Sequence, residues 1–446
     1  MTARAILPRV DGRRLLERLR ALAAITATPG RGVTRLAYSA EDVTARELVA
    51  RWMREAGLAV AVDPAGNVVG TRAGAEPGLR RLATGSHLDT VAEAGALDGA
   101  YGVVAAVEVA AALTAARIRL RHQLAVVGFS NEEGARGTPG MVGSAAIAGH
   151  EVDLSIVDDE GWVLADRIAA AGGDPARLAD AAWPPLAGFL ELHVEQGPVL
   201  EEAGVSVGVV TAITARLTLD ILIRGRAQHA GTTPMAARRD AAVAAARMVL
   251  AVHGLATEGA VRVATAGRVE VRPGVRNVVP GDALVGVDLR DVDDAALARA
   301  VDLLRSAAAE VAAGTGTDVD VLVRSRVPAV PTDPALAGCV ASAADRLGLS
   351  RLALPSGAGH DAQVLAALGP VAMAFVPSIG GVSHAADEAT ADADLVAGAD
   401  LLLHAVLDAD DLLDGPARPE RSAADPVGAA LVPPGARSCR NGERGR

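Results

Sequence analysis

Lysine is absent from this 446-residue sequence; all 43 basic residues are arginine. That absence alone removes a Schiff-base lysine, a P-loop lysine and a metal-bridging carbamylated lysine. Cysteine is nearly absent: only Cys339 and Cys439 occur, so a disulfide framework is not expected and a reducing cytoplasm fits. Aromatics make up 2% of the chain, which leaves a core built mainly of aliphatic side chains. No apolar run reaches the length of a membrane span. The opening MTARAILPRVDGRR is broken by Pro8, Asp11 and several arginines, so it lacks the apolar stretch of a signal peptide. Basic runs interleaved with aromatics are missing, and the formal net charge is −11, which argues against a nucleic-acid partner. The expectation is a soluble cytoplasmic protein that engages neither membrane nor nucleic acid.

Half of the sequence is hydrophobic, ample for a buried core, and its length is too great for one core and about right for two domains. From Asp11 to about Ala59 the pattern is helical, with Leu15, Leu16, Leu19 and Leu22 on one face and a turn-rich insert, TPGRGVTRLAYS. Short apolar runs (LAVAVD, NVVGTR, RLATGSH, QLAVVGF) then alternate with Ala-rich helical stretches, the pattern of an α/β domain with a central mixed sheet. The character changes near Ile213. Strand-like runs such as TLDILIRGRAQHAGTTP and DALVGVDLRDV bracket two helical segments, which reads as an inserted α+β unit over 213–330. The first domain would then comprise 1–212 and 331–413. Beyond Leu413 the chain turns to Pro, Gly, Arg and Ser, and 414–446 reads as a disordered tail.

Polar clusters close several apolar runs of the first domain: His87-x-Asp89 with Asp98, Glu132-Glu133, His193-x-Glu195-Gln196, and His384. In α/β sheets ligands gather beyond the carboxyl ends of the strands, where these clusters fall. Imidazole nitrogen and carboxylate oxygen are the donors that zinc and similar ions take. Three histidines and several carboxylates suffice for two metals sharing one carboxylate, as in two-metal hydrolytic sites. The adjacent glutamates allow one to bind metal and its neighbour to take a proton. Each motif alone is more often a solvated loop than a ligand. It is their shared position, at the end of an apolar run with Gly nearby, that favours a metal hydrolase. His122, His150, His253 and His404 lie in no such cluster and are assigned to core or surface.

Seven motifs occur in order: TGSHLDTV…LDGAYGVVAAVE, VVGFSNEEGARG…MVGSAA, ELHVEQGPVLE, GRAQHAGTTPMAARRDA, RPGVRNVVPG…VDLRD, SGAGHDAQ and VPSIGGVSHAADEAT. Together, from about Asp11 to Leu413, they resemble the amidase/hydantoinase–carbamoylase branch of the M20 metallopeptidase-like family. That branch includes N-carbamoyl-L-amino-acid hydrolases and allantoate amidohydrolases. The resemblance implies two divalent ions per subunit (zinc, manganese or cobalt). His87 and His193 would be terminal ligands of one ion, Glu133 and His384 of the other, and Asp98 the carboxylate between them. It further implies that Asp89 hydrogen-bonds the far nitrogen of His87 and that Glu132 is the general base.

In the inserted unit, His229 resembles a lid histidine that acts across a homodimer interface to stabilise the oxyanion. Asn277 and Arg290 resemble residues that hold a substrate carboxylate, the planar guanidinium being suited to a bidentate grip. Gln196 and His360 resemble further substrate contacts. The competing readings are a surface ion pair of Arg290 with Asp288 or Asp291, and a loop-capping role for His229. An inserted unit on linkers near Ile213 and Pro331 could hinge to carry Arg290 and Asn277 over the metals. The family usually places an aromatic where this chain has Leu97 and again where it has Gly137, which bears on pocket shape. The implied activity is cleavage of the carbamoyl C–N bond of N-carbamoyl-L-amino acids. Its rivals are allantoate hydrolysis and, against the grain of HVEQG, an aminoacylase or dipeptidase. A non-catalytic metal-binding descendant would be expected to have lost Glu132, and a nucleotide-binding protein would show a GxGxxG run or P-loop.

Overall fold

The computed structural model describes residues 8–413; the expectation of a disordered 414–446 tail lies outside the described residues. Two compact units emerge. One runs up to Ile213 and resumes at Val330; the other is Thr214–Ala329.

The first unit is built on a nine-stranded mixed sheet. Its strands are β1 (Ala59–Val62), β2 (Val68–Arg72), β3 (Leu82–His87), β4 (Leu124–Phe129), β5 (Gly188–Val194) and β6 (Val207–Ile213). After the second unit come β13 (Val330–Pro331), β14 (Arg351–Ser356) and β15 (Val371–Val376). The order is β1-β2-β4-β3-β5-β15-β6-β13, with β14 beside β6. The four adjacent strands β4, β3, β5 and β15 are mutually parallel, so their carboxyl ends share one edge of the sheet. All four strands are fully buried, and β4 and β15 are continuously apolar, the signature of a sheet covered on both faces.

Helix Ala100–Ala115 packs against this sheet and is buried on nearly every side, which explains its run of Val and Ala without a polar face. Its cap is Gly99, at φ 61°, where a Cβ would stand 2.4 Å from atoms of the His87 ring. Only glycine meets both demands. The other helices of this unit start on side-chain caps where the sequence supplies them: Asp11 for Gly12–Ala23, Ser39 for Ala40–Glu55 and Asp333 for Pro334–Leu347.

The second unit is a four-stranded antiparallel sheet carrying two helices, Ala241–Thr257 and Asp294–Thr315. Its strands are β7 (Ala215–Arg224), β9 (Val263–Arg272), β11 (Asp282–Asp291) and β12 (Asp318–Val327), in the order β12-β7-β11-β9. Alternate residues of β7 and β11 (Leu217, Leu219, Ile221, Ile223; Val285, Val287, Leu289) are buried under the helices. Beyond the Arg224/Asp282 end, the chain continues as a small ribbon of β8 (Gln228–His229) and β10 (Val278–Val279). Among the described residues, no helix is long and apolar enough to cross a membrane.

Candidate active site

The loops beyond the carboxyl ends of β3, β4, β5 and β15 converge on Asp98, which is almost fully buried. One of its oxygens, Oδ1, faces His193 Nε2 at 3.1 Å and His87 Nε2 at 3.5 Å. The other, Oδ2, faces His384 Nε2 at 3.1 Å, and that nitrogen lies 3.3 Å from Glu133 Oε1. His87, Asp98 and His193 thus form one group of possible metal-binding atoms, and Asp98, Glu133 and His384 a second; Glu132 joins His87 and Glu133 in a third.

The rings are held so that Nε2 is the free donor. His87 Nδ1 lies 3.0 Å from the main-chain carbonyl of Asp89, and His193 Nδ1 lies 2.8 Å from that of Val194. A carbonyl only accepts, so each Nδ1 carries a proton, and in the neutral ring each Nε2 is left with a lone pair. The Gly99 amide, which donates to His193 Nε2 at 3.1 Å, requires the same tautomer. Neutral rings would aim two lone pairs at one carboxylate oxygen, an arrangement that calls for positive charge there, either a metal ion or protons on the rings themselves. His384 and Glu133 Oε1 meet on the other side, where that buried glutamate oxygen finds no hydrogen-bond donor. This donor set, imidazole nitrogen and carboxylate oxygen around a shared carboxylate, fits divalent metal.

The electrostatics agree. Burial and the neighbouring His193 pull the His360 imidazole well below its ordinary value. At His384 the facing carboxylates of Asp98 and Glu133 prevail over burial and push the imidazole up to about 10. Burial alone would lower His87, but Glu132, Asp98 and Asp89 outweigh it and hold the ring well above the usual range. Burial likewise opposes ionisation of Asp98, yet hydrogen bonds from His193, His384 and His87 hold it well below the ordinary carboxylate value. The field around His87, Asp98 and His384 thus favours positive charge, whereas His360 sits where a cation is disfavoured. Glu132 is different: burial, countered by His87 but reinforced by Asp361, Glu133 and Asp89, holds its carboxyl well above the usual range. A raised carboxyl holds a proton more readily than an exposed one, the direction that a group taking up and passing on a proton requires.

Asp89 corrects an expectation. Its carboxylate does not reach the His87 ring, whose Nδ1 is already taken by Asp89's own main-chain carbonyl. Instead Oδ1 accepts from the Glu132 amide and Oδ2 from the Glu133 amide, both at 3.1 Å. Asp89 therefore fastens the turn that presents the two glutamates. Gln196, with φ 60°, donates from Nε2 to Asp98 Oδ2 at 2.8 Å, while its buried Oε1 has no donor. His360 is buried, its ring centre 4.7 Å from that of His193 and its Nε2 2.7 Å from the Ser356 hydroxyl. It packs beside a ligand group.

The three residues expected from the second unit do not gather at one place within it. His229 stands opposite Val278, and the Ala230 amide donates to the Asn277 carbonyl at 2.9 Å, so His229 and Asn277 share the ribbon tip. Arg290 sits at the far end of β11, opposite Arg216. Eight residues of strand, about 26 Å, separate it from the Asp282 end where the ribbon begins. The expectation that Arg290 and Asn277 of one chain approach a single carboxylate together is therefore corrected by strand register. Arg290 Nε meets Asp288 Oδ1 at 2.8 Å, the surface pairing weighed from sequence. His229 also caps its loop: Nδ1 accepts from the amides of Gly231 and Thr232 at 3.1 and 3.2 Å. That leaves the proton on Nε2, pointing away from the loop's own amides.

Sequence reasoning missed several buried acids around the centre. Glu191 accepts from the Ser86 hydroxyl at 2.7 Å and the Ala362 amide at 3.0 Å, linking the residue before His87 to the one two places after His360. Glu388, four residues past His384 in a quoted motif, accepts from the amides of Leu97 and Asp98. Glu191 is an acid inside an apolar run, the one signal the sequence offered, whereas Glu388 sits among polar neighbours in SHAADEAT.

Residues 83–408 match the sequence pattern of Peptidase family M20/M25/M40. An N-carbamoyl-L-amino acid amidohydrolase of Geobacillus stearothermophilus is 39% identical over 401 residues, 89% of this chain and 98% of that protein. A ureidoglycolate hydrolase of Arabidopsis thaliana is 32% identical, over 88% of this chain and 85% of its own length. The crystal structure of a hydantoinase/carbamoylase family amidase from Burkholderia multivorans, 40% identical, superposes with a TM-score of 0.83 over 90% of this chain and 98% of that one. A pattern spanning most of the chain, with relatives this close over nearly their full length, settles the family: the chain belongs to peptidase family M20/M25/M40, in its hydantoinase/carbamoylase branch, and is a hydrolase of carbon–nitrogen bonds other than peptide bonds.

Proposed function

We propose that this chain hydrolyses N-carbamoyl-L-amino acids to the amino acid, carbon dioxide and ammonia, using two divalent ions. The observation that carries the reading is Asp98, whose two oxygens face two separate groups of nitrogen and oxygen donors. His87 and His193 would hold one ion, Glu133 and His384 the other, and Asp98 both. Ions so held would supply a polarised carbamoyl carbonyl and an activated water at neutral pH.

The protein's own residues do the rest. Glu132 takes the proton of the attacking water and delivers it to the departing nitrogen, a role its raised carboxyl suits. Asp89, through the two amides, keeps that carboxyl beside its neighbour Glu133. The acceptor-only Oε1 of Gln196 is placed to receive a ureido N–H. His229, its proton fixed on Nε2 by the loop amides, donates to the carbonyl oxygen as negative charge develops. Arg290 exchanges Asp288 for the substrate carboxylate.

Because Arg290 and the Asn277–His229 tip lie at opposite ends of β11, one carboxylate is reached by both only when they come from different chains, and the tip is assigned to the second chain because His229 resembles a histidine that acts across a dimer interface. The reading therefore requires a homodimer with both His229 and Asn277 acting across the interface. The test is ammonia release from a panel of N-carbamoyl-L-amino acids, allantoate and ureidoglycolate, with manganese added. Carbamoyl substrates are expected to be turned over fastest. Faster turnover of allantoate or ureidoglycolate would replace the substrate assignment while leaving the metal centre in place.

A further inference from the structure

Glu388 joins the two loops that carry Asp98 and His384, and it does so from a buried position. Its Oε1 accepts from two consecutive main-chain amides, Leu97 at 2.9 Å and Asp98 at 3.0 Å. Its Oε2 lies 2.9 Å from the Ser383 hydroxyl, and the same hydroxyl lies 3.1 Å from Asp98 Oδ2. One carboxylate thus fixes the backbone of Asp98, and the single proton of the Ser383 hydroxyl is shared between Glu388 Oε2 and the Asp98 oxygen that faces His384. Ser383 is also the residue before His384, whose φ of 56° places it in the left-handed region. A β-carbon is uncomfortable there, so the loop needs an external hold.

The chain makes room for this carboxylate. A Cβ at Gly95 would stand 2.3 Å from Glu388 Cβ and 2.4 Å from its Oε1, so glycine is required three residues before Asp98. Among the described residues, the three donors to Glu388 all belong to the Asp98 turn or to the His384 loop.

We infer that Glu388 is the positioning residue that sets Asp98 between its two ligand groups, joining the Leu97–Asp98 turn to the Ser383–His384 loop. The inference rests on the metal reading above. Residues that orient ligands without touching metal typically change affinity by about 10- to 100-fold when replaced. Because Asp98 serves both groups, loss of Glu388 weakens both classes of bound ion together. A residue that merely stabilises the fold would lower the melting temperature of the metal-free protein and leave ion affinity alone.

The experiment is calorimetric titration of manganese into metal-free full-length protein, with the metal-free melting temperature measured beside it. Wild type, Glu388→Gln, Glu388→Ala, Ser383→Ala and Gly95→Ala are compared. Glu388→Gln keeps an acceptor for the amides and is expected to lose about tenfold in affinity for both ions, and Glu388→Ala about 100-fold. Gly95→Ala, which displaces an intact Glu388, is expected to follow Glu388→Gln. Should the alanine variant fail to fold, Ser383→Ala carries the test, with a loss of about threefold or more expected. Affinities within twofold of wild type in both Glu388→Gln and Ser383→Ala overturn the inference while the metal reading stands. Wild-type protein that takes up no ion overturns the metal reading, and this inference with it.

Discussion

Replacing Asp89 by Asn separates two accounts of that residue. In the structure its carboxylate receives one amide hydrogen bond on each oxygen, from Glu132 and from Glu133, at 3.1 Å each. An asparagine of the same shape keeps one acceptor and turns an NH2 group towards the other amide. One hydrogen bond to a charged acceptor is lost, worth about 1.5–3 kcal/mol. If that energy holds the Glu132–Glu133 turn in place, about 10- to 100-fold in turnover goes with it, at about 1.4 kcal/mol per tenfold. The His87 ring is untouched, because its Nδ1 donates to a main-chain carbonyl that the substitution leaves alone. The assay is steady-state ammonia release at saturating manganese, paired with manganese titration in which His193→Ala and His384→Ala assign the two classes of ion. Turnover is expected to fall about 10- to 100-fold, with the ion of the His87 group held within about threefold of wild type. Weakened binding of that ion with undiminished turnover at saturating metal would refute the reasoning and return Asp89 to the ring.

Other expectations follow from the same geometry. Glu132→Gln should retain metal by elemental analysis and lose turnover by about 10²- to 10⁴-fold, the usual worth of a positioned base; near-normal turnover would remove it from the mechanism. Mixing Glu132→Gln chains with His229→Asn chains should restore about a quarter of wild-type activity, since half the dimers then hold one complete centre. No recovery after subunit exchange would place His229 in its own chain's site. Burial and the neighbouring Glu191 push the Asp361 carboxyl up to about 8. Its folded value exceeds the roughly 4 of an unfolded chain, so its stability contribution is full below pH 4 and is lost as pH rises through about 8. Asp361→Asn should therefore gain on wild type in metal-free melting temperature between pH 5 and pH 8.5; a gap that does not change with pH would contradict this.

Much of the centre was legible because its residues obey a local rule. His87, Glu133 and His193 each end or follow a strand that reads as a short apolar run, and the parallel order of β4, β3, β5 and β15 brings those ends together. The mixed sheet and its helices were legible from the same alternation. What could not be read were contacts that depend on three-dimensional closure. The motif points the Asp89 carboxylate at a ring two residues away, but Asp89's own backbone carbonyl reaches that ring first. Glu388 lies 290 residues from the amide of Asp98 that it holds, and nothing in either neighbourhood announces the pairing. The separation of Arg290 from Asn277 is a matter of strand register, since residues close in sequence lie far apart along an extended strand.

The central claim, that Asp98 and its two ligand groups make a two-ion hydrolytic centre, is tested most directly by titrating activity with metal. Protein stripped of metal should not release ammonia from an N-carbamoyl-L-amino acid. Turnover should climb as manganese is added and level off at two equivalents per chain. Undiminished turnover by the stripped protein, or a plateau at a single equivalent, would contradict the account.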